Sequence, residues 1–143
     1  MTKRQGRCVC GDVNYHISNA PNELDVCHCK NCQRQSGSAY APFLAVPIDT
    51  LALTGEPKCF RDDDTVSGRA VERYFCGRCG SPIYVRVERA PNTAYVFTGT
   101  MDDLSELQPK CHGWITTKHD WVEINDQGEQ FASDPALMPE SGG

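Results

Sequence analysis

The hydrophobic positions of this 143-residue chain alternate with polar ones, which is the period of a half-buried β-strand. Val13, Tyr15 and Ile17 fall on one face of such a segment. No helical period is sustained; we expect a short helical turn over residues 31–35, and Asp102 or Asp103 is a candidate cap for a second one. β-Branched and aromatic runs predict further strands over residues 24–26, 39–46, 58–61, 71–75, 82–87, 93–98, 111–116 and 121–124.

Turn-forming residues separate these segments and indicate one domain of ordinary size. Pro42 interrupts the strand over 39–46 and is expected at a sheet edge or a bulge. Residues 62–68 are rich in Asp and predict a solvated hairpin tip, while 47–55 predict a short connection. Residues 1–131 should therefore form a single β domain, and residues 132–143, rich in Ser, Pro and Gly, a flexible C-terminal tail.

Charge and hydropathy narrow the classes of partner. The formal net charge of −5 argues against a nucleic-acid partner, which requires a basic face. No segment looks long and apolar enough to span a membrane, and no apolar run resembling a signal peptide follows the first residues. We therefore expect a cytoplasmic protein with no membrane partner, and the sequence leaves open a homo-oligomer.

Cysteine spacing is the strongest chemical signal in the chain. Seven of the nine cysteines fall in three clusters, which are Cys8-Val9-Cys10, the run from Cys27 to Cys32, and Cys76-Gly77-Arg78-Cys79. An odd count with C-x-C and C-x-x-C spacing favours metal over disulfides, and zinc is the common metal that accepts several thiolates. With an apolar fraction of only 39%, metal would also compensate for a modest core.

The ligand count predicts two Zn²⁺ ions per chain. Cys8, Cys10, Cys76 and Cys79 supply four thiolates, enough for a closed structural site. Cys27, Cys29 and Cys32 supply three, which leaves one tetrahedral position open, as in catalytic zinc sites. Cys59 and Cys111 are left without a partner spacing.

The same residues resemble the glutathione-dependent formaldehyde-activating enzyme family, also called the CENP-V/GFA domain. The matching motifs follow the family order from about Gly6 to Ile124 and are Gly6 to Tyr15, Cys27-His28-Cys29-Lys30-Asn31-Cys32, Phe75 to Ser81, Gly99 to Asp103, and Pro109-Lys110-Cys111-His112. Gln33-Arg34 stands where the family usually has two arginines, and Gly113-Trp114 follows the late histidine in place of an apolar residue.

The resemblance implies a mainly β fold. This is the β-tent of short antiparallel strands stitched by zinc sites, which is related to methionine-R-sulfoxide reductases. It also implies a structural four-cysteine zinc and a catalytic three-cysteine zinc. Family members are carbon–sulfur lyases, which here means reversible addition of a glutathione-like thiol to a small aldehyde such as formaldehyde, to give an S-hydroxyalkyl adduct. The expected partners are therefore a small thiol and a small aldehyde.

Four further side chains have open roles around the three-cysteine cluster. Lys30 and Arg34 flank it, as receptors for a substrate carboxylate or as ordinary surface charges. His112 matches the family motif and is a candidate catalytic acid or base, with a structural histidine as the alternative. His28 is a fourth ligand, a proton shuttle, or a side chain that points away from the metal because neighbours alternate in extended chain.

Two other function classes remain beside the lyase. A non-catalytic zinc-built module for a protein partner would be favoured if His28 or another residue closed the three-cysteine site. A sulfoxide reductase-like enzyme would use a catalytic cysteine such as Cys111, but it would not need a second zinc.

Overall fold

The computed structural model describes residues 2–134, and short strands dominate them. Eleven strands, one helix and three 3₁₀ turns follow one another along the chain. None of the described helices is long and apolar enough to cross a membrane. The elements are β1 (Thr2–Arg7), β2 (Asn14–Ala20), β3 (Glu23–Cys27), α1 (Lys30–Ser36), β4 (Ala41–Pro47), β5 (Leu51–Thr54), β6 (Lys58–Asp62), β7 (Val71–Phe75), β8 (Pro82–Val87), β9 (Thr93–Phe97), β10 (Gln108–Gly113) and β11 (Glu129–Gln130), with 3₁₀ turns at Ile48–Thr50, Thr98–Thr100 and Ile115–Thr117.

The strands form two sheets, which confirms the predicted mainly β fold class. The small sheet has the order β1-β2-β5, and the large one β11-β10-β3-β4-β9-β8-β7-β6. Most pairs are antiparallel, but β10 runs parallel to both β3 and β11. Gly6 of β1 also forms an isolated bridge with Met101, which follows the 3₁₀ turn after β9. A Cβ at Gly6 would collide with the Thr100 carbonyl oxygen, so only glycine fits this approach.

The main core lies between the two sheets. The alternation seen in the sequence is the cause, because Tyr15 and Ile17 of β2 are each only 1% exposed and face the large sheet. Leu44 and Val96 approach from the large sheet and are fully buried. Burial of such side chains contributes about 1.5–3 kcal/mol each to folding.

Two strands that the hydrophobic pattern did not predict complete the small sheet. In β1 the inward positions belong to Arg4 and Gly6, so no apolar alternation marks it. Arg4 is buried and donates to the backbone oxygens of Asp103 and Ser105 at 2.7 and 3.0 Å. β5 has only four residues. In the sequence its two inward leucines look like a local apolar cluster within the predicted connection over residues 47–55.

The prediction for residues 121–124 is wrong, and that for 111–116 is displaced. β10 ends at Gly113 because Trp114 takes a left-handed conformation, with φ of 58°, before a 3₁₀ turn. Residues 121–124 join no sheet. The Lys118 ammonium there donates to the Val122 carbonyl oxygen at 2.6 Å, which replaces a strand partner.

Pro42 lies within a central strand, but at a point where one side is open. It is paired with Val26 of β3, whereas the ladder to β9 begins only at Phe43. The missing N–H of proline therefore interrupts no ladder on that side. Because the ladder to β9 begins one residue after Pro42, this proline lies at a local edge, as predicted.

The predicted tail begins as part of the domain. The Trp114 N–H donates to the Ser133 carbonyl oxygen at 3.1 Å, and Thr116 Oγ1 donates to the Ala132 carbonyl oxygen at 2.8 Å. Asp134 forms an ion pair with Arg89. The remainder of the predicted tail, residues 135–143, lies outside the described residues, and the division at 131 stays a prediction.

An ion pair at the end of β6 holds α1 against the large sheet. The Asp62 carboxylate accepts from Arg73 at 3.0 and 2.9 Å and from the Asn31 amide of α1 at 3.1 Å. Both side chains of the ion pair are nearly buried, at 8% and 10% exposure. Arg73 also donates to Gln35 at 2.6 Å. The expectation that Asp62 belongs to a solvated tip is therefore wrong, since Asp62 is buried within a network that crosses three elements.

This network generates a stability prediction. Asp62→Asn leaves the Arg73 guanidinium buried without its counter-charge, and loss of one partner from such a pair costs about 3–5 kcal/mol. Urea unfolding should show this loss. Asp63→Asn is the matched control, because the neighbouring Arg61–Asp63 pair is exposed, at 57% and 72%. Equal destabilisation by the two variants would contradict the assignment.

Candidate metal centres

The four-cysteine group joins the two sheets at one end of the molecule. Cys8 and Cys10 lie between β1 and β2, and Cys76 and Cys79 lie between β7 and β8. Both loops turn at a glycine with positive φ, 84° at Gly11 and 80° at Gly80. A side chain would strain that conformation, so glycine lets each loop aim two sulfurs at one point.

The geometry of this group fits a zinc ion. All four sulfurs lie within 4.8 Å of one another, with 3.6 Å between Cys8 and Cys10 and 3.7 Å between Cys10 and Cys76. Tetrahedral zinc with bonds of about 2.3 Å places its sulfurs about 3.8 Å apart. No disulfide joins the cysteines of residues 2–134. The predicted set of four is therefore assembled as the spacing suggested.

The three-cysteine group forms where β3 passes into α1. Cys27 is the last residue of β3, Cys29 caps the helix by accepting from the Cys32 N–H at 3.3 Å, and Cys32 lies in the first turn. The capping requirement of the helix thus turns the Cys29 sulfur toward Cys32. The three sulfurs lie within 4.8 Å of one another, as the sequence predicted.

The three thiols shift one another's pKa values. The Cys29 sulfur accepts hydrogen bonds from Cys27 and Cys32, which lowers the pKa of Cys29 to about 3. The thiol that Cys27 directs at Cys29 raises the pKa of Cys27 well above its usual value. A dication would favour the thiolate form of all three residues, and three thiolates with Zn²⁺ would carry a formal charge of −1.

One side of the large sheet, which we call the thiol face, surrounds this group. Register places Cys27, Phe43, Phe97, Tyr95 and Val85 on it. The Phe43 ring packs against Phe97, with centroids 4.6 Å apart, and edge-on against Tyr95 at 6.3 Å. The cysteines pack directly on this aromatic floor. Arg73 lies on the same face, and its charge lowers the pKa of Cys29 in addition to the thiol hydrogen bonds.

His28 lies between two of the sulfur ligands in sequence, but its side chain leaves them. Its nitrogens are not among the donors that converge within 4.8 Å. His28 is 1% exposed, and its Nε2 lies 3.0 Å from Nδ1 of His112. The side chain therefore points away from the metal position, which was one of the three expectations.

His112 forms a buried chain with His28 and Asp126. Its Nε2 lies 2.9 Å from the Asp126 carboxylate, which can only accept, so Nε2 carries a proton, and Nδ1 of His112 shares a hydrogen bond of 3.0 Å with Nε2 of His28. Burial, with the His112 charge second, lowers the pKa of His28 to about 4, so the ring is neutral. Nδ1 of His28 is buried and has no hydrogen-bond partner among residues 2–134. His112 pairs with Val26, whose side chain faces the main core, so it lies on the opposite side of the sheet from Cys27.

Gln33 is a functional position whose role could not be read from the sequence. It is buried, and its amide donates to the backbone oxygens of His28 and Thr117 at 2.8 and 3.0 Å. Its Oε1 lies 2.8 Å from Nε2 of His119. Gln33, which stands in place of the first of two arginines usual in the family, therefore holds the cysteine loop in place. Because its side chain is buried, the replacement removes no cation from the solvent-facing side of α1.

The predicted substrate-binding residues lie on the exposed side of α1. Lys30 is its first residue and is exposed. Arg34 is also exposed, donates to Asn31 Oδ1 at 3.1 Å, and lines a cavity of about 510 Å³. Phe60 and Phe75 form the apolar wall of that cavity, and Arg73, whose charge acts on Cys29, also lines it.

The two remaining cysteines, Cys111 and Cys59, belong to neither metal group and are not placed as nucleophiles. Cys111 is buried and donates to Asp25 Oδ1 at 3.2 Å. Burial and the Asp25 charge raise the pKa of Cys111 to about 12, so it stays a thiol. This finding disfavours a sulfoxide reductase-like reaction through Cys111. Cys59 is exposed on the edge strand β6, not buried as a small hydrophobe.

Metal content follows from the two groups. Elemental analysis of metal-replete protein should give about two zinc ions per chain, since each group has the donors and spacing of its own site. A ratio near one in carefully loaded protein would contradict the second site.

The two groups should differ in what they support. Cys76→Ser removes a ligand from a site that joins the two sheets, and a structural zinc contributes on the order of 10 kcal/mol to folding. This variant should lose its cooperative thermal transition. Cys29→Ser affects a local loop and should retain most of the fold. The check is circular dichroism of both variants during heating, and similar losses would contradict the distinction.

Comparisons with known proteins agree with this architecture. A family model described as glutathione-dependent formaldehyde-activating enzyme matches residues 3–117. A Halomonas elongata protein named "Putative glutathione-dependent formaldehyde-activating enzyme" is 32% identical, over 92% of this chain and 88% of its own length. A Schizosaccharomyces pombe protein named an uncharacterized lyase is 21% identical over 96% of each chain.

The fold also has a solved counterpart. A Rhodobacter sphaeroides crystal structure superposes with a TM-score of 0.55 at 19% identity, over 73% of this chain and 97% of the other. At that identity the likeness concerns the fold alone. The family model spans both cysteine groups and most of the described strands. The chain therefore belongs to the family of glutathione-dependent formaldehyde-activating enzymes.

Proposed function

We propose that the chain is a zinc-dependent carbon–sulfur lyase that adds a glutathione-like thiol reversibly to a small aldehyde such as formaldehyde. The observation that carries this proposal is the three-cysteine group on the thiol face, where no fourth protein donor of the described residues converges with the sulfurs. The names of the family and of the Halomonas relative support the same substrates.

The reaction joins the two substrates without an oxidant or reductant. The thiol sulfur forms a bond to the carbonyl carbon, the C–O π bond breaks, and the thiol proton goes to the carbonyl oxygen. When bound by three thiolates, zinc supplies a fourth position and Lewis acidity that favours ionisation of a thiol or polarises a carbonyl. Cys27, Cys29 and Cys32 would hold it.

The other residues prepare the site. Phe43 and Phe97 give the thiol face an apolar floor beside the sulfurs, and such a floor excludes water from the reacting atoms. Gln33 fixes the loop by binding the His28 carbonyl oxygen. Lys30 and Arg34 are proposed to attract the substrate carboxylate, because both are exposed cations on α1.

His112 has a different proposed role from direct proton transfer. Its ring reaches the cysteine loop only through His28 and is anchored by Asp126. We therefore place it as a positioning residue for the loop, while its role as acid or base stays a prediction that the fold does not favour.

Cobalt substitution tests whether the three-cysteine site accepts a substrate sulfur. A site with three sulfurs should gain sulfur-to-cobalt charge-transfer absorption when a thiol is titrated in, and it should remain tetrahedral. Cys32→Ala should abolish the response. Cys59→Ala is the matched control, since this exposed cysteine belongs to neither group, and it should respond as the unmodified chain does.

A spectrum indifferent to every thiol would contradict sulfur binding at the metal. Adding a stable carbonyl analogue alone would then separate two explanations. A response would mean that the carbonyl oxygen visits the metal instead. Silence would mean a closed site, which is the property of a zinc-built protein-binding module.

A further inference from the structure

The cavity beside α1 has no role in the reaction as described. Its volume is about 510 Å³, within the range of small-molecule sites. Phe60 and Phe75 form its apolar wall, and Pro82 extends the apolar lining. Formaldehyde is little larger than a water molecule, whose share of liquid volume is about 30 Å³, so it would fill only a small part of this space.

The cavity adjoins the three-cysteine group through the helix that carries Cys32. Asn31 lies between Cys29 and Cys32 in the sequence, and its side chain lines the cavity. The Asn31 amide donates to the Asp62 carboxylate at 3.1 Å, and Asp62 also belongs to the lining. The cavity therefore begins one residue away from the sulfur ligand Cys32, at a helix that this hydrogen bond holds against the sheet.

The floor of the cavity is continuous with the floor beneath the sulfurs. Phe60 of β6 pairs with Arg73 of β7, and Arg73 pairs with Val85 of β8. Residues directly opposite each other in a sheet share a face, so these three side chains lie on the same side. Val85 packs in one buried cluster with Cys32 and Phe43. The thiol face therefore carries the cavity and the three thiols side by side.

The buried polar side chains along the cavity already have partners. Asp62 and Arg73 are nearly buried and lie 2.9 Å apart as an ion pair. The Asn31 amide nitrogen donates to Asp62 and to the Asp64 carbonyl oxygen, both at 3.1 Å. The surface that remains without a partner is apolar, and Phe60 is 60% exposed. A ligand in the cavity would gain free energy mainly by covering this apolar surface.

We propose that the cavity receives the apolar body of the aldehyde, so that the preferred aldehyde carries an aromatic or branched hydrocarbon group beyond its carbonyl carbon. The inference rests on the proposed function and names the class of aldehyde. The step itself is unchanged, since the thiol sulfur bonds to the carbonyl carbon and the thiol proton goes to the carbonyl oxygen. A glutathione-like thiol suits the cavity less, because its amides and charges would lose water against apolar walls without gaining hydrogen bonds.

The test compares phenylacetaldehyde with acetaldehyde, which lacks the phenyl group, using glutathione and metal-replete full-length protein. The unmodified chain should have a kcat/KM at least about tenfold higher for phenylacetaldehyde, because apolar groups held in a pocket give discrimination of that order. Phe60→Ala should lower this preference about fivefold or more, and Phe60→Leu should lower it less, since leucine retains part of the wall. Phe60 is exposed on the edge strand β6, so neither substitution opens the core.

Leu104→Ala is the matched control. Leu104 is 53% exposed, similar to Phe60, but it does not line the cavity, so the preference should not change. Absence of a preference for phenylacetaldehyde, or a preference that Phe60→Ala leaves intact, would overturn the inference while leaving the lyase intact. An equal effect of Phe60→Ala on the ratio of glutathione to 2-mercaptoethanol, with acetaldehyde as the common partner, would also overturn it, because the thiol would then occupy the cavity.

Failure of the lyase itself has a different signature. No adduct with any aldehyde would refute the proposed function, and an NMR titration with 2-phenylethanol, which cannot react, would then test the cavity alone. Shifts of the Asn31 and Gly80 amide signals, with binding weakened about fivefold by Phe60→Ala and unaffected by Leu104→Ala, would support the inference. Absence of binding, or binding indifferent to Phe60→Ala, overturns it.

Discussion

The fold depends on the convergence of four thiols from two distant hairpins. Cys8 and Cys10 belong to a loop of the small sheet, and Cys76 and Cys79 belong to a loop of the large sheet. Cys10 and Cys76 are 66 positions apart in the sequence. Four thiolates cannot approach within 4.8 Å without a cation to offset their charge. A metal held by all four would therefore couple its binding to the docking of the two sheets.

The three-cysteine group is assembled in the opposite way. Three thiols come from one β3–α1 junction, and their arrangement is set locally by a helix cap. The Asp62–Arg73 pair then holds α1 on the sheet, and Gln33 holds the loop from the other side. An aromatic floor beneath the sulfurs completes the surroundings. The two groups thus differ in ligand number and in how they are held, which is the basis of the roles proposed for them.

Local spacing determined what the sequence could predict. C-x-C and C-x-x-C place sulfurs within a few residues, so both cysteine groups could be proposed before any fold was known, as could β2 from its alternation. Arg73, Arg89 and Asp126 could not, because each acquires its role from a partner far away in sequence. β1 was missed because its inward residues are Arg4 and Gly6, and 121–124 were mistaken for a strand because a lysine satisfies that backbone.

The central claim is that the three-cysteine group carries the chemistry while the four-cysteine group carries the fold. The most direct measurement is exchange NMR of ¹³C-formaldehyde with glutathione, which follows interconversion of free aldehyde and S-hydroxymethyl adduct at equilibrium. Metal-replete protein should accelerate the exchange, and Cys32→Ala should return it to the uncatalysed rate while keeping a cooperative thermal transition. Undiminished acceleration by a folded Cys32→Ala protein, or none by the unmodified chain, would contradict the account.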